Sequence, residues 1–240
     1  MHRIASSTAV LAAVCAAMLA ACGPPAAAPG TGSPPAVSAP TSSPTEATAS
    51  PSGTELSAAD WKTFTTSDGQ LTFDYPAEWS LRDPADAPAN DGGVAVEVRN
   101  PGGKSMAILR TNVVPVGERC TVKQPYSVYS SEPVPALAQN GEAPRFVFES
   151  RTDPSATDPM KMTAFAYGIT SVPEATGTEA CPMEHVFAWP PSGAKFGGVY
   201  NPFDTSPGNP MHADTPEVYA MTSEFEDIRK MIKSLRPAGT

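Results

Sequence analysis

The chain has 240 residues, 40% hydrophobic and 17% charged, with 28 prolines and a formal net charge of −9. This acidic balance, with 16 Lys and Arg against 25 Asp and Glu, argues against nucleic-acid binding and against charge-driven docking on anionic lipid, both of which rely on a cationic face. Eight prolines fall between Pro24 and Pro51, so foldable material begins near residue 55 and suits one domain with a substantial core.

Residues 1–22 read MHRIASSTAVLAAVCAAMLAAC. Arg3 supplies a positive start, and Ala9 to Ala21 form a short apolar run that ends in small residues, the layout of a secretory signal peptide over 1–21. A membrane-spanning helix needs roughly 20 apolar residues, more than this run offers. An ordinary cleavage site makes no demand for cysteine, yet Cys22 sits at the seam. Leu19-Ala20-Ala21-Cys22 resembles the lipobox of bacterial lipoproteins, whose cysteine is acylated and becomes the mature N-terminus. That resemblance implies lipid attachment at Cys22, with palmitate-type chains, and a place on the extracytoplasmic face of a bacterial cell membrane. Several acyl chains, at about 0.8 kcal/mol per buried methylene, hold a chain stably in a bilayer. Cys15 lies within the apolar run and leaves with the signal.

From residue 22 to residue 54 the chain is almost entirely Ala, Pro, Ser, Thr and Gly. Such a segment buries too little apolar surface to offset its ordering entropy, and it is expected to be a disordered tether. Thirty residues of this kind hold a domain on the order of 30 Å from the lipid, and about 90 Å when stretched. The Ala and Pro bias suggests a high-GC bacterium.

The domain expected over 55–240 opens with a hairpin. Thr63 to Thr65 and Leu71 to Tyr75 read as strands around Ser67-Asp68-Gly69, with Leu71, Phe73 and Tyr75 on one face and Trp79 packed behind. Further β-type runs follow at Val94 to Val98, Met106 to Val113, Tyr126 to Ser130, Phe146 to Glu149, Met162 to Tyr167, His185 to Trp189 and Phe196 to Tyr200. No helical stretch separates them, so the sheet is expected to be antiparallel. The period then changes: Val218, Met221, Phe225, Ile228, Ile232 and Leu235 recur at spacings of three and four. They predict one amphipathic helix, capped by Asp214 or Thr215 and stopped by Pro237, that lies over the sheet. The expected fold class is α+β, an antiparallel sheet covered by helices that include this C-terminal one.

Phe64, Asp68-Gly69 and Leu71-Thr72-Phe73-Asp74-Tyr75-Pro76-Ala77-Glu78-Trp79 resemble the opening of PsbP-like domains, and the closing Ile232-Lys233-Ser234-Leu235 is similar to that family's final helix. The resemblance covers about forty residues at the two ends of the domain. It implies an antiparallel sheet sandwiched with helices, and binding or assembly rather than catalysis.

Two cysteines remain after the signal, Cys120 and Cys181. In an exported chain they are expected to form a disulfide. The rival is a metal site, for which Cys181-Pro182-Met183-Glu184-His185, Met160, Met162 and Met211-His212 gather thioether and imidazole donors suited to copper(I). Methionines more often fill cores, however, and no zinc-ligand spacing is present. Hydrolase chemistry has thinner support. His185 and His212 are the histidines left, no G-x-S-x-G elbow exists, and Ser192-Gly193-Ala194-Lys195 matches S-x-x-K only within a proline- and glycine-bounded turn. Glu226-Asp227 reads as a solvent face. The loop from Gly197 through Phe203 to Pro210 is either a partner surface or packing, with Tyr200 and Phe203 turned inward. The sequence therefore points to a lipid-anchored envelope protein presenting a non-catalytic binding or assembly domain. No resident cofactor is implied, and the partners expected are the membrane and an envelope protein or small ligand. A copper chaperone is the alternative, and an envelope hydrolase the more distant one.

Overall fold

The computed structural model describes residues 60–84, 92–115, 120–208 and 215–239. The expected signal segment, Cys22, the tether, Met211, His212 and Asp214 lie outside the described residues. The chain divides into two units, 1–52 and 53–240, and everything described below belongs to the second.

The opening hairpin forms as its pattern predicts. β1 (Trp61–Thr65) pairs antiparallel with β2 (Leu71–Pro76) in the register Phe64 to Phe73. Thr66 and Asp68 tie the bend, Thr66 Oγ1 donating to Asp68 Oδ1 at 2.6 Å. β3 (Ser80–Arg82), β4 (Ala95–Arg99) and β5 (Ser105–Thr111) form a first antiparallel meander. β6 (Gln124–Pro133), β7 (Arg145–Thr152) and β8 (Thr163–Thr170) form a second, and the short β9 (Glu179–Ala180) pairs with the start of β6. β10 (Ala194–Tyr200) lies between β5 and β8 and joins the meanders into one eight-stranded sheet, in the order β3-β4-β5-β10-β8-β7-β6-β9. At its middle Gly198 lies so close to its neighbour that a Cβ would sit 2.3 Å from the Met106 carbonyl and against the Tyr167 ring.

The chain closes with α1 (Pro216–Tyr219), α2 (Ser223–Lys233) and β11 (Arg236–Pro237), which pairs with β2 to complete a three-stranded sheet β1-β2-β11. The expected α+β arrangement of helices covering a sheet is overturned. Two antiparallel sheets carry the fold, and the described residues contain two short α-helices. The single amphipathic helix divides at Ala220–Thr222. Thr222 caps a new helix by accepting from the Phe225 N–H at 3.2 Å, while its hydroxyl donates to the Tyr219 carbonyl. The break takes Val218 and Met221 out of the apolar stripe: Met221 is 78% exposed. Tyr219 is buried instead, stacked on Tyr200 with centroids 4.0 Å apart. Thr215 caps α1 as predicted.

The core fills the space between the inner face of the large sheet and a layer made of the small sheet with α2. Phe73 of β2 meets Phe196 of β10 at 4.8 Å, and Phe225 of α2 meets Phe148 of β7 at 5.0 Å. Trp79 is buried, as the sequence suggested. Arg236 forks onto Asp74 at 2.9 and 3.1 Å, and Ser234 Oγ accepts from the Asp74 N–H at 2.8 Å, fixing the end of α2 against β2. Arg229 and Lys233 of α2 both reach Glu132 of β6.

Phe148 touches Tyr129, Tyr167, Tyr200, Tyr219 and Phe225. Phe148→Ala is expected to cost about 3–5 kcal/mol of stability, whereas Met221→Ala stays within about 0.5 kcal/mol. Guanidinium unfolding of both variants checks this, and equal midpoints would contradict the proposed packing.

Candidate functional site

Side chains alternate across a strand. On β7, Phe146 and Phe148 enter the core, so Arg145, Val147, Glu149 and Arg151 lie on the opposite, outer face of the sheet. Pairing places Tyr126 and Val128 of β6, with Ala166, Gly168 and Thr170 of β8, on that same face. The chain after β8 runs back over this surface from residue 171 to residue 186. Four hydrogen bonds hold it down. Arg145 Nη2 donates to the Val172 carbonyl at 3.3 Å, and Tyr126 OH to that of Ala175 at 2.8 Å. Thr170 Oγ1 donates to the Glu184 carbonyl at 2.9 Å, and Arg151 Nε to that of Cys181 at 2.7 Å. Between loop and sheet lies a cleft of about 280 Å³.

Glu149 organises the floor at one end of the cleft. Its Oε2 accepts from Arg151 Nη1 at 2.9 Å, and its Oε1 lies 3.0 Å from His185 Nε2, which therefore carries the ring proton. All three side chains are about nine-tenths buried. Burial pushes the Glu149 carboxyl up, but the His185 hydrogen bond and the Arg151 charge outweigh it and hold the group below the usual carboxylate range. Tyr126 covers the other side of Arg151, its ring centroid 5.2 Å from the guanidinium carbon. His185 reaches the sheet because Gly168 lies beneath it, where a Cβ would stand 3.0 Å from the His185 Cβ.

Cys120 and Cys181 form the expected disulfide, with S–S 2.06 Å and Cα atoms 5.7 Å apart. It joins the approach to β6 with the loop at the edge of the cleft. Among the described residues the other sequence-derived candidates do not converge. Met183 and His185 border a second groove over β5, β8 and β10, but the Nε2 of His185 is engaged by Glu149. Met160 is exposed in a separate turn before β8. Among the described residues no group of three or more His, Cys, Asp and Glu is arranged to hold a metal ion. The hydroxyl of Ser192 donates to Asn112 Oδ1 at 2.8 Å, in a turn that holds the cis Pro190–Pro191 bond. The 185–189 segment forms a single bridge, Phe187 to Ala194, rather than a strand. The stretch read as a loop from Gly197 begins inside β10, where Tyr200 is buried, and Phe203 beyond it is half exposed.

Arg145, Glu149 and Arg151 were not singled out by the sequence reading. Their signal is the alternation Arg145-x-Val147-x-Glu149-x-Arg151 between the core phenylalanines, which places three charges on one face of a strand. Farther along the outer face Glu97 of β4 is also buried. Burial raises its carboxyl, but hydrogen bonds from Ser105, Arg99 and Arg82 hold it down to about 2, from an ordinary 4.5.

Glu97 and Glu149 are both more acidic folded than unfolded. For Glu97 the contribution to stability is present above about pH 4.5 and is lost as pH falls toward about 2, and that of Glu149 is likewise lost on acidification. The urea midpoint is expected to drop through that window and to drop less steeply in Glu97→Gln; a flat profile in the unaltered protein contradicts this. Thiol counting on unreduced protein is expected to find neither Cys120 nor Cys181 free, and Cys181→Ser to lower stability by about 4 kcal/mol.

Comparison with known proteins finds no family model, no curated protein and no solved structure that matches this chain.

Proposed function

We propose that this chain is a lipid-anchored protein of the bacterial cell envelope, attached through Cys22, that presents a non-catalytic binding domain on the outer side of the membrane. The ligand seat is the cleft under the loop from residue 171 to residue 186. The observation that carries the reading is the Cys120–Cys181 disulfide at the edge of that cleft. A crosslink of this kind persists in oxidising spaces outside the cytoplasm, in keeping with the signal-like residues 1–21 and the lipobox-like Leu19 to Cys22.

Binding rather than catalysis is favoured by how the reactive side chains are spent. His185 and Arg151 each engage one oxygen of Glu149, and the Ser192 hydroxyl donates to Asn112.

Metabolic labelling tests the anchor. Radioactive palmitate supplied to expressing cells is expected to label the protein and fractionate it with membranes. Cys22→Ser is expected to lose the label and accumulate as unprocessed precursor. An unaltered protein recovered without label and free of membranes refutes the reading.

A further inference from the structure

The cleft is polar at its ends and apolar along its walls. Arg145, the first residue of β7, stands at one end. Its Nη1 lies 3.1 Å from Ser131 Oγ and its Nη2 3.3 Å from the Val172 carbonyl. Its Nε is buried with no hydrogen-bond partner, and among the described residues the guanidinium forms no ion pair. Two neutral oxygens at these distances leave the positive charge without a carboxylate partner, on a guanidinium whose Nη1 end is exposed and within reach of an anion. Arg151 shows the contrast, since it faces the same cleft with its charge already matched by Glu149.

The planar fork of a guanidinium matches two oxygens on one carbon. The walls next to it are Val128, Val172, Pro173, Ala175 and Pro182, with the Tyr126 ring. They offer an apolar surface, and the other cations of the lining are Arg151, already paired with Glu149, and the exposed Lys123. At the rim Glu174 and Glu179 are exposed and form no ion pair among the described residues. Their charges repel a ligand that carries a second negative group. The volume of about 280 Å³ lies at the small end of ligand pockets.

We propose that the cleft binds a small monocarboxylate with an apolar body. The carboxylate is received by Arg145, and the body lies against Val128 and the Val172–Ala175 wall. The inference rests on the cleft being the ligand seat of the domain, and it adds the chemical class of the ligand.

The probe is phenylacetate, with its uncharged counterpart phenylacetamide, titrated into the full-length, disulfide-intact protein in detergent and followed by amide NMR. Saturable shifts are expected for phenylacetate at Tyr126, Val128 and Val172. Affinity is expected to fall about tenfold or more for phenylacetamide and for Arg145→Gln, with Arg145→Lys recovering part of it. Thr176→Trp, which leaves Arg145 in place and fills the mouth of the cleft, is expected to abolish binding. It guards against Arg145→Gln acting by loosening the loop. The proposal is overturned by the absence of saturable shifts, by equal affinity for the amide, or by unchanged binding in Thr176→Trp. Palmitate labelling at Cys22 is read separately, so loss of this inference with the label intact leaves the anchored domain standing.

Discussion

Six consecutive residues, Phe146 to Arg151, are buried, although β7 is a strand whose side chains alternate between two faces. Antiparallel sheets commonly leave one face to water, so this double burial has to be supplied from both sides. Phe225 and Tyr219 supply it on the inner face, through ring contacts with Phe146 and Phe148. The loop from residue 171 to residue 186 supplies it on the outer face, where the paired charges of Glu149 and Arg151 replace aromatic packing. The inner solution is apolar and tight; the outer one is polar and leaves a cleft.

This difference explains why the site lies where it does. A loop fastened by hydrogen bonds from a sheet surface stands off that surface by the length of the side chains that hold it. Arg145, Tyr126 and Arg151 are long, and the gap they maintain is the cleft. The Glu149 cluster closes one end because its carboxylate is matched by Arg151 and His185. Arg145 leaves the other end electrically open. The disulfide ties the far side of the loop to the segment that leads into β6, so the covering segment is covalently held beside the floor it covers.

Strands were legible in the sequence wherever alternation was clean. Leu71 to Tyr75 with its Asp68-Gly69 bend, and the runs that became β5, β7, β8 and β10, fall close to the observed elements. The disulfide followed from cysteine number once an exported context was read. The end of the chain misled because helical spacing reports which residues share a face, not whether the backbone continues unbroken. Val218 and Met221 fit the period, but Thr222 offers a cap in mid-run and Tyr219 finds a ring to stack upon at Tyr200. The site was less legible, since it is built by a crossing loop of little pattern that reaches charges spaced two apart on one strand. No local rule says that a Cys-Pro-Met-Glu-His stretch will lie over Glu149.

The place of β10 carries a consequence for how the molecule is put together. Each meander is continuous in the chain, β3 to β5 and then β6 to β8, and each can pair internally as it is delivered. The strand that sits between them comes later than both. Until it inserts, the flanks of β5 and β8 are bare ladders of amide and carbonyl groups, the kind of border along which unrelated chains adhere. In any copy whose Ala194 to Tyr200 is not yet in place, two half-built sheets stand open to neighbours.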